Sequence, residues 1–366
     1  MIVLHIITRL NKGGTATWLK ELFLIKNPNF SQILFFGSTS KNEEEDFFYK
    51  NIEFKKFNYL KRNFSPIKDL ISLIQIRSEI MRIRPEVVNT HTFKAGVIGR
   101  IACLTVNYPV RIIHTYHGHL IYGYFGIIKK FLFVAIEYAL AKITDHFISN
   151  GNQTKVDLLK YRIGKSNQYD VVMPCTNLKP ARNNNSSLRR TLLNISSQSF
   201  VVGWLGRLAP IKNPNLLIEI AHRLPNIQFL VGGSGELAND IKKISPKNIR
   251  YLGWCEPGYF WSLCNVAILT SRNEAVPFSL VEAAACGKPI IASEIGSISD
   301  VVTLSNGFIV NNIGDYVTAI ITLRNNKLIR RSMEKASAEL AKNLFSNKKF
   351  LQNHSNIYRR FALTDS

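Results

Sequence analysis

Glu274 and Glu282 are spaced E-x7-E in SRNEAVPFSLVEAAACGKPIIAS (271–293). NVAILTS, just upstream, reads as a β-strand, so Glu274 falls in the loop beyond it. Pro277 suits a first helical turn, where its missing N–H is not needed. A helix is expected from about Pro277 to Cys286, with Gly287 as its stop. The first amides of a helix lack intrahelical acceptors. Those of Phe278, Ser279 and Leu280 would therefore form an anion site, strengthened by the helix dipole. Glu282, about a turn further in, could accept two hydroxyls of a ribose, and Glu274 could accept those of a second ring. The plain alternative is a capping acid and an acid on a helix face.

Three more stretches carry residues of the same chemistry. In GRLAPIKN (206–213), Gly206 allows a tight turn after a strand, and Arg207 and Lys212 add two cations. Arginine grips phosphate oxygens bidentately and lysine acts as a point charge, so the pair suits a diphosphate. Two solvated surface cations would look the same in sequence. In NKGGTATW (11–18), Gly13 and Gly14 follow the first strand and allow close approach of a ligand to the backbone, though the stretch is not GxGxxG. GGSGE (232–236) reads as a plain turn. HTYHGHLIYGYFG (114–126) holds His114, His117 and His119 at a spacing that matches no zinc site, and no thiol or acid stands nearby as a fourth ligand. His117 at a strand end, neutral, could bind a sugar hydroxyl, or it could be a satisfied structural histidine. No Asp-x-Asp pair occurs, which weighs against a metal-bridged nucleotide sugar.

The elements that must position these residues alternate. MIVLHII, QILFFG, EVVNTHT, VRIIHTYHG and DHFISN read as strands, separated by helices such as 66–84, where Ile67, Leu70, Ile71, Ile74, Ile80 and Ile83 recur at helical spacing before Pro85. After the polar stretch KPARNNNSSLRR (179–190), the alternation resumes through SFVVGWLGRL, NPNLLIEIAHRL, IQFLVGGSGE, IRYLGWC, NVAILTS and PIIAS. Strand–helix alternation implies parallel sheets covered on both faces, with ligands at the carboxyl ends of the strands. The expected fold is α/β, with two doubly wound Rossmann-like domains facing across a cleft. The first domain would span residues 1–180 and the second 181–345, and 346–366 would form a helix packing back toward the first domain. A length of 366 residues agrees with two cores.

The chain carries a formal charge of +22, spread over both halves, which favours anionic partners. No apolar run reaches the roughly 18–20 residues that a membrane-spanning helix needs. The N-terminus reads as a strand with no signal peptide. The five cysteines form no CxxC and fit reduced thiols in the cytosol. Tyr122, Tyr124 and Phe125, then Lys129 and Lys130, precede an apolar stretch, a pattern suited to docking on an anionic membrane surface. A core helix with a basic end is the other reading of that stretch.

GRL…KN, the E-x7-E stretch with its EAAACGKPIIAS tail, the paired glycines after the first strand and the HGH segment together resemble the retaining glycosyltransferases of family 4, with the GT-B fold. HTYHGHLIYGYF and IEYALAKITDHFIS are similar to the subgroup that builds surface polysaccharides on lipid carriers. The resemblance implies a metal-independent hexosyltransferase that moves sugar from a UDP- or GDP-sugar to a lipid-linked or glycan acceptor. It implies no cofactor, no nucleic-acid partner, and a cytoplasmic protein peripheral on the inner face of the membrane. Arg207, Lys212, Gly14 and the amides of Phe278, Ser279 and Leu280 would hold the donor diphosphate. Glu282 would bind the ribose, and Glu274 and His117 would be the catalytic contacts to the transferred sugar. IGSISD (295–300) stands where relatives carry paired glycines and a glutamate. Two other functions fit a chain of this kind. A GT-B epimerase would consume nucleotide sugar without an acceptor. A basic nucleic-acid-binding protein would show duplex affinity that falls steeply with salt.

Overall fold

The computed structural model describes residues 1–25, 30–40, 43–118, 121–122, 126–180 and 190–361. His119, Tyr124, Phe125 and most of the 179–190 stretch lie outside them. The chain divides into two compact units, Met1–Met173 with the segment from Asn347 on, and Pro174–Ser346. The division falls a few residues before the expected 180.

In the first unit seven parallel strands are ordered β3-β2-β1-β4-β5-β6-β7. They are β1 (Ile2–Ile7), β2 (Ser31–Gly37), β3 (Phe54–Phe57), β4 (Val87–His91), β5 (Arg111–Tyr116), β6 (His146–Ser149) and β7 (Tyr169–Val171). FKKF and YDV, which form β3 and β7, lack the apolar runs by which the inner strands are legible. Alternate residues of a strand face opposite sides. Leu4, Ile6, Ile33, Phe35, Val88 and Ile112 therefore meet one apolar layer, built by Ile76 and Ile80 of α2 (Pro66–Ile83) and Ala95, Ile98 and Ala102 of α3 (Phe93–Leu104). The other face takes α1 (Gly14–Leu22), through Trp18. The fold then uses α4 (Ile127–Ala141) and α5 (Asn152–Lys160) before it leaves the unit.

The last helix, α12 (Asn347–Arg360), returns to this unit. Its Phe350, His354, Ile357 and Tyr358 are buried, one stripe of an amphipathic helix. Phe350 and His354 meet the Trp18 ring edge-on, the Tyr358 hydroxyl accepts the Asn89 side-chain amide of β4 at 2.9 Å, and Arg360 pairs with Asp170.

The second unit repeats the plan with six parallel strands, ordered β10-β9-β8-β11-β12-β13. These are β8 (Val201–Leu205), β9 (Gln228–Gly232), β10 (Ile249–Gly253), β11 (Val266–Leu269), β12 (Ile290–Ser293) and β13 (Gly307–Val310). Trp204, Phe229, Val231 and Ile268 pack under α6 (Pro214–Arg223) and α10 (Ile313–Asn325). The chain also forms α7 (Ala238–Ile244), α8 (Pro257–Ser262), α9 (Phe278–Ala285) and α11 (Lys327–Leu344). In both sheets the strand order reverses direction between the first strand and its later neighbour, β1/β4 and β8/β11. At such a switch point adjacent loops part at the carboxyl ends of the strands and leave room for a ligand.

Candidate active site

At the switch point of the second sheet the loop after β8 lies beside the loop after β11. Thr270, just past β11, accepts the Trp204 indole N–H at 3.0 Å and donates to the Lys212 carbonyl at 3.0 Å. The Arg272 amide donates to the Ile211 carbonyl at 2.8 Å. These bonds fix the two loops side by side, and their charged residues meet. Lys212 pairs with Glu274, whose Oε1 also accepts the Ser271 hydroxyl at 2.7 Å. The loop-to-loop backbone bonds thus bring opposite charges into contact. Arg207 is exposed and makes no ion pair among the described residues.

Glycines give these loops their close backbone approach. Gly233, at φ +113°, lies against Gly206, where a Cβ would fall 2.0 Å from the Gly206 carbonyl oxygen. Leu208 N–H donates to the Ser234 carbonyl at 2.9 Å. GGSGE, read in sequence as a plain turn, is therefore the seat of the Arg207 loop. Gly296, at φ +47°, plays the same part for Glu274, since a Cβ there would lie 1.7 Å from the Glu274 carbonyl oxygen. The single glycine of IGSISD is the one touching Glu274.

α9 begins at Phe278 with Pro277 as its cap, one residue inside the expected start. The Leu280 amide, expected to be open, donates to the Pro277 carbonyl at 3.0 Å. A tight first turn has used it, so Phe278 and Ser279 supply the amides of the candidate anion site. Gly287 takes φ +66° just after the helix and stops it, as expected. Glu282 lies one turn in and keeps part of its surface open. Burial pushes its carboxyl up to about 8, and the charge of Glu256 adds to the shift. Glu256 itself is held by the amides of Gly258 (2.9 Å) and Tyr259 (2.6 Å) at the start of α8.

The other two expected residues belong to the first unit. Gly14 opens α1 after Gly13, whose carbonyl accepts the Thr17 amide at 3.0 Å. His117 follows β5 directly, as expected for a strand-end residue. Its Nε2 lies 3.0 Å from His91 Nδ1. Burial pushes its imidazole down to about 3, so the ring is neutral. His114 turns away to Thr90 Oγ1 at 2.8 Å, so it does not join His117 in one cluster. His91 and His5, which join His117, were missed in sequence. Their only signal was a polar residue within the apolar strands β1 and β4.

Comparison with known proteins adds a separate line of observation. The family model described as Glycosyltransferase Family 4 matches residues 32–174, and that described as Glycosyl transferases group 1 matches residues 199–326. Among curated relatives, the chain is similar to UDP-Gal:alpha-D-GlcNAc-diphosphoundecaprenol alpha-1,3-galactosyltransferase of Escherichia coli, with 29% identity over 73% of this chain and 74% of the relative. It is also similar to the capsular polysaccharide biosynthesis glycosyltransferase CapM of Staphylococcus aureus, with 26% identity over 82% and 84% of the two chains. Among solved structures, HepE of Anabaena in complex with UDP superposes with a TM-score of 0.83 at 18% identity, covering 98% of this chain and 100% of the other.

Proposed function

This chain belongs to the family 4 glycosyltransferases and has the GT-B fold, and from that premise we propose that it moves a hexose from a UDP-sugar to a lipid-linked saccharide, with retention of anomeric configuration. A role as a glycosyltransferase in surface polysaccharide synthesis is common ground with its relatives. The finer reading is supported by the UDP-galactose named for the E. coli relative and the UDP bound by HepE. One observation carries it: the Lys212–Glu274 ion pair, held at the switch point of the second sheet by the bonds between the loops after β8 and β11.

The chemistry follows from charge. Breaking the sugar–phosphate bond leaves negative charge on the diphosphate, and fixed cations and amides aimed at that charge stabilise the transition state. Lys212, Arg207 and the amides of Phe278 and Ser279 fill this role. Glu274, held by Ser271, accepts a sugar hydroxyl, and Glu282 accepts those of the ribose. We assign His117 and Gly14, in the first unit, to the transferred sugar and the donor phosphates, as the family resemblance implies. The departing phosphate takes the acceptor's proton. The reading invokes no metal and no resident cofactor, and the nucleotide sugar is a substrate.

We also assign the protein to the membrane surface that holds its acceptor. No helix among the described residues is long and apolar enough to cross a membrane. α4, however, exposes Ile127, Ile128, Phe131 and Leu132 beside Lys129, and Lys130 lies 4.8 Å over the Tyr122 ring. Apolar groups flanked by lysines match an anionic lipid interface.

The test of the donor site is a thermal-shift series with UDP, GDP and ADP, followed by UDP release in the presence of a lipid-linked acceptor. UDP alone should stabilise the protein. Lys212→Ala should lower turnover by about 10²–10³-fold, the usual cost of losing one charge-stabilising group, and Glu274→Ala should lower it at least tenfold by freeing the sugar hydroxyl and the Lys212 side chain. Full activity in either variant, or selective stabilisation by GDP, overturns the reading.

A further inference from the structure

Four polar side chains step across four neighbouring strands of the first sheet. Gln32 on β2, His5 on β1, His91 at the end of β4 and His117 just past β5 follow the order in which those strands pair. Gln32 Nε2 donates to the Leu22 carbonyl at 3.2 Å. Gln32 Oε1 lies 3.1 Å from His5 Nε2, His5 Nδ1 3.1 Å from His91 Nε2, and His91 Nδ1 3.0 Å from His117 Nε2. His117 Nδ1 is buried and has no hydrogen-bond partner among the described residues. His5 and His91 are wholly buried.

The donors and acceptors in this row are not free to choose. A backbone carbonyl only accepts, so Leu22 fixes the Gln32 amide with its NH2 toward Leu22 and its oxygen toward His5. An amide oxygen also only accepts, so His5 must carry its proton on Nε2. A neutral imidazole has one N–H and one lone pair. His5 Nδ1 is therefore the acceptor, and His91 must donate from Nε2. The same step repeats once more. His117 donates from Nε2 and is left with a bare lone pair on Nδ1. Burial keeps the row neutral: it pushes His5 and His117 down to about 3 and lowers His91 as well. The neighbouring His354 does not break the order, because its Nδ1 is engaged by the Phe350 carbonyl at 3.0 Å and burial pushes it down to about 4.

We propose that Gln32 is a positioning residue of the transferase: through His5 and His91 it sets the tautomer of His117, so that Nδ1 receives a proton-donating hydroxyl of the substrate and rejects a group that only accepts. This rests on the assignment of His117 to the transferred sugar. The fixed polarity would select a hydroxyl at that point of the sugar over a deoxy or O-alkylated position. No covalent step is added to the reaction.

The test is imidazole ¹⁵N nuclear magnetic resonance on the full chain with labelled histidine, which needs no substrate and is independent of the sugar chosen. His5, His91 and His117 should all show a protonated Nε2 and an unprotonated Nδ1. Gln32→Leu, which removes the acceptor at the head of the row, should mix the tautomers of His117. It should lower kcat at least tenfold while leaving the thermal shift by UDP intact, which also shows that the variant folds. Gln32→Glu keeps an acceptor on His5 Nε2 and should restore the tautomer. A protonated Nδ1 on His117 in the unaltered protein overturns the proposal, and so does a Gln32→Leu protein with unchanged tautomers or unchanged kcat. Ordered tautomers in a protein that ignores every nucleotide sugar would uphold the row and sink the transferase reading instead.

Discussion

Glu282 shows how a binding residue can work against the stability of its own fold. Its carboxyl moves from 4.5 up to about 8, chiefly through burial and secondarily through Glu256. The folded chain then holds this proton more tightly than the unfolded chain does. The contribution to stability is complete below pH 4.5 and is lost as pH rises through about 8. Glu282→Gln removes that loss. Its melting midpoint should exceed the parent's at pH 9 by about 2–4 °C for each kcal/mol recovered, and the two should converge near pH 4.5. Above pH 8, where the parent carries a carboxylate, the same variant should bind UDP more weakly, since an amide accepts ribose hydroxyls less well than a carboxylate. Melting curves from acid to alkaline pH, with and without UDP, check both statements. The E-x7-E spacing was visible in sequence, but the depth of Glu282 and its nearness to Glu256 were not. Both depend on where α8 and α9 pack.

Elements place these residues through backbone contacts that side-chain patterns do not report. The loop of Glu274 rests on Gly296, and the loop of Arg207 rests on Gly233. Gly296→Ala would drive a Cβ into the Glu274 carbonyl in a left-handed backbone conformation that alanine disfavours. We expect it to lower turnover at least tenfold by shifting Glu274 off Lys212 and Ser271, with a stability loss of about 1–3 kcal/mol. Steady-state kinetics beside a denaturant titration separate the two effects, and an unimpaired Gly296→Ala enzyme would refute the support role. α2 gives the opposite lesson. Its helical periodicity was plain, yet Ile67, Leu70 and Ile74 of the repeating set face outward, and Ile76 and Ile80 make the core. Spacing identifies a helix, but the neighbouring α3 decides which stripe is covered.

For the molecule as a whole, α4 should decide membrane affinity. The parent protein should float with vesicles containing anionic lipid, less so at high salt, and ignore neutral ones. A Lys129→Glu, Phe131→Asp variant, changed only at exposed positions, should stay in the dense fraction while retaining its response to UDP. A parent protein that ignores anionic vesicles would dispose of the docking face. By itself the sequence determined the alternation of strand and helix, the family, and the glycine, cation and carboxylate positions of the second unit. Those signals are local: a strand, a turn and a helix start occupy about twenty consecutive residues, and their chemistry is written in that order. The tertiary structure alone decided that Lys212 meets Glu274, that the Leu280 amide is spent, and that Gln32, His5, His91 and His117 form one row. Strand order in a parallel sheet is not chain order, so residues far apart in sequence become neighbours only when the sheet is assembled.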